Sequence, residues 1–318
     1  MKTLTPAQWR RGKTCRRHGI GAAATAARSR VMRRLSVSLA MLLVGACMAA
    51  PPAAAGDRLP ATGGVTAFEG AGGGGLVPWA LITGYGTRDQ VGLSAFYTYV
   101  SIRNFRLQSG GLAVGLFDRA ELSYAAQRFD LGSTVPGESI LQDVFGAKFR
   151  LAGDAVFDQD RWWPQLAAGV LYKRNRNYDY VPAALGARHA ADADFYLAAT
   201  KLYLAGLAGR NVLLDLTLRD TRANQFGLLG FGGDRSDRRV MRFEGSLGVF
   251  LEDRLLVGAE YRARPDALSA FHEQSAGDLF LSWIPGRGGS LTLAWARFGR
   301  IADRPGQDGL YLSVQWSR

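Results

Sequence analysis

The stretch Gly309-Leu-Tyr-Leu-Ser-Val-Gln-Trp316 decides the fold class, because apolar and more polar residues alternate along it. The residues on one face are apolar: Leu310, Leu312, Val314 and Trp316. The residues on the other face are Tyr311, Ser313 and Gln315. A period of two predicts a β-strand with two unlike faces. Residues 212–219 and 241–249 repeat the pattern, although strands of a soluble β-sandwich alternate in the same way.

Thirteen segments of the chain have this strand character, and turn residues separate them. They are 76–86, 90–102, 107–117, 120–129, 141–152, 163–174, 194–205, 211–220, 238–251, 255–264, 277–284, 290–298 and 309–316. Because bacterial outer-membrane barrels close with an even number of strands, a further strand at 60–69, turning through Gly70–Gly75, makes fourteen the favoured count. Twelve is the alternative, if the Gly-rich opening folds inward as a plug. The sequence thus predicts an all-β protein, a transmembrane antiparallel β-barrel.

Two features favour a membrane barrel over a soluble sandwich. Tight turns, such as Phe117-Asp118-Arg119 and Glu252-Asp253-Arg254, alternate with longer polar stretches, such as 174–193 and 220–237. Short periplasmic turns and longer extracellular loops are typical of outer-membrane barrels. Aromatic residues also gather near strand ends, where they predict interfacial girdles: Trp79, Tyr97, Tyr99, Trp162, Trp163, Trp283, Trp295 and Trp316. After Ala55, no segment offers the ~20 consecutive apolar residues that a membrane helix needs.

The formal charge of +12 belongs to the start of the chain. Ten of the 39 basic residues lie between Met1 and Arg34, and no acidic residue precedes Asp57. Without those ten, 29 basic residues face 27 acidic ones, so the remainder carries only +2. This distribution removes the main argument for a nucleic-acid partner.

The basic start has the order of an export signal. Arg33 and Arg34 precede the apolar stretch Leu35–Ala46, and small residues then lead to a favoured cleavage site after Ala55. We therefore interpret 32–55 as a cleaved signal peptide, 56–318 as one barrel domain, and 1–31 as a non-native extension upstream of a true start at Met32. Val44-Gly45-Ala46-Cys47 also resembles a lipobox, which leaves lipoprotein processing at Cys47 as an alternative.

Several motifs resemble a known family. They are Gly-Gly-Gly-Leu76-Val-Pro-Trp79, Gly84-Tyr-Gly-Thr-Arg-Asp-Gln90, Gln127-Arg-Phe-Asp130, Leu151-Ala-Gly-Asp-Ala-Val156 with Asp158-Gln-Asp-Arg161, and Ala223-Asn-Gln-Phe-Gly-Leu-Leu-Gly-Phe-Gly-Gly-Asp234. Together they resemble the proteobacterial family catalogued as domain of unknown function 3034, over residues 57–316. The resemblance implies an outer-membrane barrel in a Gram-negative bacterium. It brings no established activity and no catalytic residues.

Alternation also assigns charged side chains to the lumen, because an ion that faces lipid near the midplane costs about 2–4 kcal/mol. The basic candidates are Lys148, Arg150, Lys173, Lys201, Arg219, Arg242 and Arg262. The acidic candidates are Glu121, Asp215, Glu244 and Glu260. Two interpretations stay open, a salt-bridged and water-filled interior and a mildly basic channel that favours anions.

The stretch 225–234 is unusually apolar for an extracellular loop. Its candidate residues are Gln225, Phe226, Leu228, Leu229 and Phe231. They could fold into the lumen as a constriction, contact a hydrophobic ligand at the mouth, or extend a strand and pack on neighbouring loops. His189 and His272 are the histidines downstream of the leader, and no motif for nucleophilic catalysis surrounds them. We expect no enzyme activity, no metal and no cofactor.

The sequence therefore favours a channel or porin-like protein for small polar or anionic solutes. A transporter or binder of hydrophobic molecules, and a barrel that serves envelope integrity, are the alternatives. The expected partners are outer-membrane lipid, periplasmic chaperones and the barrel-assembly machinery. The pattern does not identify the solute or the oligomeric state.

Overall fold

A computed structural model describes residue 63, residues 65–286 and residues 288–318, and within them the chain forms a closed β-barrel. Its twelve strands pair antiparallel in chain order, and the last pairs with the first. The strands are β1 (Val91–Ile102), β2 (Arg106–Leu116), β3 (Ala120–Asp130), β4 (Ser139–Ala152), β5 (Gln165–Asn175), β6 (Ala191–Leu207), β7 (Arg210–Thr221), β8 (Val240–Glu252), β9 (Leu255–Arg262), β10 (Ala276–Gly286), β11 (Gly289–Arg297) and β12 (Asp308–Ser317). A helix of four residues, α1 (Val181–Ala184), lies between β5 and β6. The predicted signal peptide, the extension and Cys47 lie outside the described residues.

The wall forms because buried and exposed side chains alternate along each strand. In β12, Tyr311, Ser313 and Gln315 are buried inside the barrel, while Leu310 is exposed outside. Small polar side chains join the seam between β1 and β12, where Thr98 Oγ1 and Ser313 Oγ lie 2.9 Å apart. Closure leaves no unpaired strand edge, which a spanning barrel requires. In the part of the chain that the structure describes, no helix is long and apolar enough to cross a membrane.

The connections differ at the two ends of the barrel. At the short-turn end, residues 117–119, 208–209 and 253–254 join neighbouring strands, with a longer link at 153–164. At the long-loop end, the connections are 131–138, 176–190, 222–239, 263–275 and 298–307, with one short link at 103–105. The predicted asymmetry of turn lengths is therefore present. We use "short-turn end" and "long-loop end" for these two ends below.

The favoured count of fourteen strands is wrong, and the alternative of twelve is confirmed. Residues 65–86, which we call the plug segment, do not join the wall but run inside the barrel. The apolar residues at 76–82 are buried without alternation, including Leu76, Val77 and Trp79. A wall strand needs one outward and one inward face, and Pro78 lacks the N–H that a paired strand donates. Trp79 is accordingly not part of an outer girdle.

The plug segment enters and leaves at the short-turn end. Gly84 N donates to Gly63 O (3.1 Å), and Tyr85 N donates to the carbonyl oxygen of Arg318, the last residue (3.4 Å). Between these points the segment reaches inward as far as Phe68, whose ring meets that of Phe226 at 5.2 Å. Phe226 belongs to the loop between β7 and β8, which enters from the long-loop end. The two insertions therefore meet inside the barrel.

Candidate functional site in the barrel lumen

Carboxylates of the wall hold the backbone of the plug segment. Glu121 on β3 accepts hydrogen bonds from Gly72 N (2.9 Å) and Thr83 N (2.8 Å). Glu260 on β9 accepts one from Leu76 N (2.6 Å). A Cβ at position 74 would lie 1.7 Å from Glu260 Oε1, so any larger residue there would force the Glu260 carboxylate to move. The Gly-rich run is thus the sequence feature that lets the plug backbone approach the wall so closely.

Donors of the wall bind the carbonyl groups of the same segment. Lys148 Nζ donates to Gly72 O and Leu81 O, both at 2.8 Å, and also lies 3.1 Å from Glu121 Oε2. Gln165 Nε2 donates to Ala80 O (2.7 Å). Because the plug segment is not part of a sheet, its buried backbone groups need such partners. The polar inner face of the wall supplies them.

Glu69 of the plug segment is the centre of a buried ion cluster. Its carboxylate accepts from Arg262 at 2.6 and 3.1 Å and is paired with Lys173. Arg219 Nη2 lies 3.9 Å from Glu69 Oε2. The cations have further partners on the wall, since Lys173 Nζ lies 2.7 Å from Asp194 and Arg219 Nε lies 2.5 Å from Glu244. One plug carboxylate thereby joins five strands, β5 to β9, either directly or through a shared cation.

The loop after β7 enters the barrel from the long-loop end. All five loop residues singled out from the sequence, Gln225, Phe226, Leu228, Leu229 and Phe231, are buried. Phe226 O accepts from Gln142 and Lys173, and the Phe226 ring lies 4.6 Å from the Arg262 guanidinium carbon. Of the interpretations of this loop, the structure shows two together, because Phe226 lies inside the barrel while Gln225 and Phe231 pack on neighbouring loops. The apolar side chains do not form an open surface at the mouth.

A carboxylate holds this loop from the neighbouring loop. Glu273 accepts hydrogen bonds from Gln225 N and Gln225 Nε2, both at 2.9 Å, and lies 3.4 Å from Arg264 Nε. Burial raises the pKa of Glu273 to about 7, and the charge of Arg264 opposes that rise. The contact therefore titrates close to neutral pH.

Most charged residues selected from the sequence lie on the inner face. Those that are buried there are Glu121, Lys148, Lys173, Asp215, Arg219, Glu244, Glu260 and Arg262. Arg150 lies near the short-turn end and pairs with Asp118 and Asp154. Arg242 lies near the long-loop end, where its Nε donates to Arg264 O (3.0 Å). The cluster around Glu69 thus brings together Lys173, Arg219 and Arg262, whereas Arg150 and Arg242 stay apart from it.

Lys201 does not face the lumen. Its cross-strand partner is Leu214, an outward-facing residue, while the neighbouring Thr200 points inward and hydrogen-bonds Asp215. Lys201 Nζ donates to Asp158 O (2.5 Å) and Trp163 O (3.3 Å), so the link 153–164 covers it. A polar link that folds back over the wall satisfies the ammonium group outside the barrel.

Sequence reasoning missed three acidic residues inside the barrel: Glu69, Asp194 and Asp278. Among the described strand residues that are buried on the inner face, four are basic and six are acidic. They are Lys148, Lys173, Arg219 and Arg262, and Glu121, Asp194, Asp215, Glu244, Glu260 and Asp278. The predicted excess of basic residues is absent from this set. Alternation in 192–200 could have revealed Asp194, whereas no local pattern marks Glu69.

Neither histidine is arranged for nucleophilic catalysis. His272 Nδ1 lies 2.9 Å from Asp266, but the Ser269 hydroxyl donates to Asp234 instead of the imidazole. His189 Nε2 lies 3.0 Å from Asp237 and 3.2 Å from Arg222 Nη1. His189 is therefore held by hydrogen bonds between two loops, and His272 by a hydrogen bond within the loop 263–275. Within the described residues, no group of three or more metal-binding side chains is present.

One protein family and several solved structures are similar to this chain. A family model described as a protein of unknown function, DUF3034, matches residues 62–315. The KdgM porin is 9% identical, with a TM-score of 0.45 over 70% of this chain and 98% of that chain. The NanC porin is 12% identical, with a TM-score of 0.46 over 70% and 98%. The COG4313 outer membrane channel from Pseudomonas putida F1 is 12% identical, with a TM-score of 0.39 over 76% and 96%. No curated protein matches the chain.

Proposed function

The chain belongs to the DUF3034 family of proteins of unknown function, and on that premise we propose that it forms a porin-like outer-membrane barrel. Its pore rests closed, because the plug segment fills the lumen. Displacement of the plug segment toward the short-turn end opens a path for small polar solutes.

The polar character of the contact between plug and wall carries this proposal. Glu121, Lys148 and Glu260 bind backbone groups of the plug segment, and Arg262 binds both Glu69 and Leu76 O. Water can replace such partners, and a water-filled polar interior is typical of porins. A barrel that only needs to be closed can fill its interior with wall side chains. The inner wall is therefore suited to a lumen that exchanges the plug for water.

The outer surface and the leader support the membrane location. Large apolar side chains such as Leu216, Phe243 and Leu279 are exposed on the outer face. A continuous apolar surface of this kind is unfavourable in water and favourable in hydrocarbon. The signal peptide predicted at 32–55 would export the chain, and the short-turn end would then face the periplasm.

The charges of the wall argue for small polar solutes without a preference for anions. The buried inner face has four basic and six acidic strand residues, and Glu69 leaves with the plug segment. A ring of acidic side chains favours cations in a pore. An open pore of this protein should therefore pass small cations at least as well as small anions.

Conductance across planar bilayers tests the proposal. In Gly74→Val, the new side chain displaces the Glu260 carboxylate from Leu76 N, which weakens the docking of the plug segment. Gly286→Val is the matched control, because a Cβ at Gly286 meets nothing within 4 Å. We expect rare openings for the wild type and for Gly286→Val, and frequent single-channel steps for Gly74→Val.

Folding is checked separately by the heat-dependent mobility of the barrel in electrophoresis. A folded Gly74→Val protein that stays silent would refute a gated pore and leave a permanently closed barrel. Large steady conductance of the wild type would show instead that the plug segment does not close the lumen.

A further inference from the structure

A cavity of about 550 Å³ opens at the short-turn end, on the side of β3 and β4. Its lining includes Arg88, Arg119 and Arg161 together with Leu151 and Phe157. Arg88 lies in the short link 87–90 between the plug segment and β1. Gln90 O of that link accepts a hydrogen bond from Phe117 N (3.0 Å), which places the link beside the turn 117–119. Three separate connections therefore build the cavity.

The cavity has a surplus of positive charge. Its lining contains four arginines and three aspartates. Arg150 pairs with both Asp118 and Asp154, and Arg161 Nε lies 3.9 Å from Asp158. Arg88 and Arg119 form no ion pair within the residues that the structure describes. Two exposed guanidinium groups are thus available to an anion, and guanidinium binds phosphate oxygens in a bidentate geometry.

One side of the cavity is apolar and continuous with the outer face of the barrel. Leu151 is 54% exposed and Phe157 is 68% exposed. Phe149, two residues before Leu151 on the same face of β4, is 57% exposed. Trp162 and Trp163 follow Phe157 in the same link and are also exposed. An arginine-rich cavity beside apolar and aromatic side chains at a strand end matches a lipid at the boundary of headgroup and hydrocarbon.

We infer that this cavity binds an anionic phospholipid. Its phosphate lies between Arg88 and Arg119, and one acyl chain lies along Leu151 and Phe149. The inference rests on the proposed membrane location of the barrel. Because Arg88 lies two residues beyond the end of the plug segment, a bound lipid also holds the exit of the plug against the wall.

Quenching of tryptophan fluorescence by brominated lipids tests the inference, since Trp162 and Trp163 lie in the link that lines the cavity. The folded, full barrel is titrated in detergent micelles with dibromo-phosphatidylglycerol or dibromo-phosphatidylcholine. We expect half-maximal quenching at a roughly fivefold lower mole fraction of the anionic lipid for each arginine that contacts it. In Arg88→Gln/Arg119→Gln the two titrations should coincide. The matched control, Arg210→Gln/Arg254→Gln, changes two exposed arginines of other short turns and should keep the preference.

Three outcomes would overturn the inference. They are equal titrations in the wild type, a preference that survives in Arg88→Gln/Arg119→Gln, and a preference lost equally in the control. Competition by soluble glycerol phosphate at the same concentration as the lipid would overturn the role of the apolar side. Insertion of the wild type into vesicles is a separate experiment that does not depend on the lipid preference. Failure to insert would count against the proposed membrane barrel and not against the lipid site.

Discussion

The ion cluster around Glu69 predicts how firmly the pore is closed. Glu69→Gln keeps the shape of the side chain and removes the single negative charge that the plug segment places among Lys173, Arg219 and Arg262. The perturbation leaves the wall of the barrel unchanged. It should therefore shift the balance between the docked and the displaced plug segment without unfolding the strands.

The size of the shift follows from the partners that remain. Removal of one partner from a buried ion pair costs about 3–5 kcal/mol, because the other charge stays buried. Lys173 keeps Asp194, and Arg219 keeps Glu244, at 2.7 and 2.5 Å. The lower end of the range therefore applies. A loss of about 3 kcal/mol corresponds to a roughly hundredfold increase in the ratio of open to closed states.

Single-channel recording in planar bilayers measures this ratio as an open probability. We expect the ratio of open to closed states to be roughly a hundred times larger in Glu69→Gln than in the wild type. Glu138→Gln is the matched control, because it makes the same chemical change at an exposed residue of the loop 131–138. An unchanged open probability in folded Glu69→Gln, or an equal increase in Glu138→Gln, would refute the role assigned to the cluster.

Three further predictions concern the loops, the pore and the short-turn end. The pKa of Glu273 is raised to about 7, which means that the Glu273 carboxyl binds a proton more tightly in the folded loop than in the unfolded chain. The contact of Glu273 with residues 224–231 should therefore weaken as the pH rises from about 5 to 8. Amide hydrogen exchange of 224–231, corrected for intrinsic rates, should accelerate over that range, and Glu273→Gln should abolish the pH dependence. The open pore of Gly74→Val should show a reversal potential of zero or of cation-selective sign in a KCl gradient, whereas clear anion selectivity would contradict the charge distribution. Lys201→Met should leave the carbonyls of Asp158 and Trp163 without their donor and destabilise the link 153–164 by about 1–3 kcal/mol. Limited proteolysis of that link should detect the change, while the open probability of the pore should stay at the wild-type value.

Replacement of Arg219 is a poor test of ion selectivity. Its guanidinium lies between Glu244, Asp194 and Glu69, so a carboxylate there would face three others. Such a variant would disturb the docking of the plug segment before it changed the field of an open pore. Selectivity is better measured on a background in which the plug is already displaced.

The wall of the barrel could be predicted because its determinants are local. In β12, the alternation from Leu310 to Trp316 assigns each side chain to one face, and turns such as 117–119 separate the strands. The high cost of an ion in hydrocarbon likewise assigns Lys148 and Arg262 to the inner face. Lys201 shows where this reasoning stops. A link from elsewhere in the chain covers its ammonium group on the outer side.

The plug segment could not be assigned with certainty, because its residues have the character of a strand and its partners are distant in sequence. Leu76 N binds Glu260, which is 184 residues away, and Glu69 binds Lys173, which is 104 residues away. The Gly-rich run made an inward fold one of two alternatives, but only these pairings choose between them. These pairings depend on which wall residues lie at the same level along the barrel axis as each residue of the plug segment.

The sequence by itself determined an antiparallel barrel with an apolar exterior and a charged interior, because side-chain alternation and the cost of exposing ions to lipid act residue by residue. The tertiary structure alone decided the number of strands in the wall, the balance of charge inside and the placement of the plug segment in the lumen. The number of wall strands and the placement of the plug segment depend on whether the buried polar groups of the wall bind water or the plug segment. The charge balance depends on which residues the strand register turns inward. That choice is made only when distant parts of the chain are brought together.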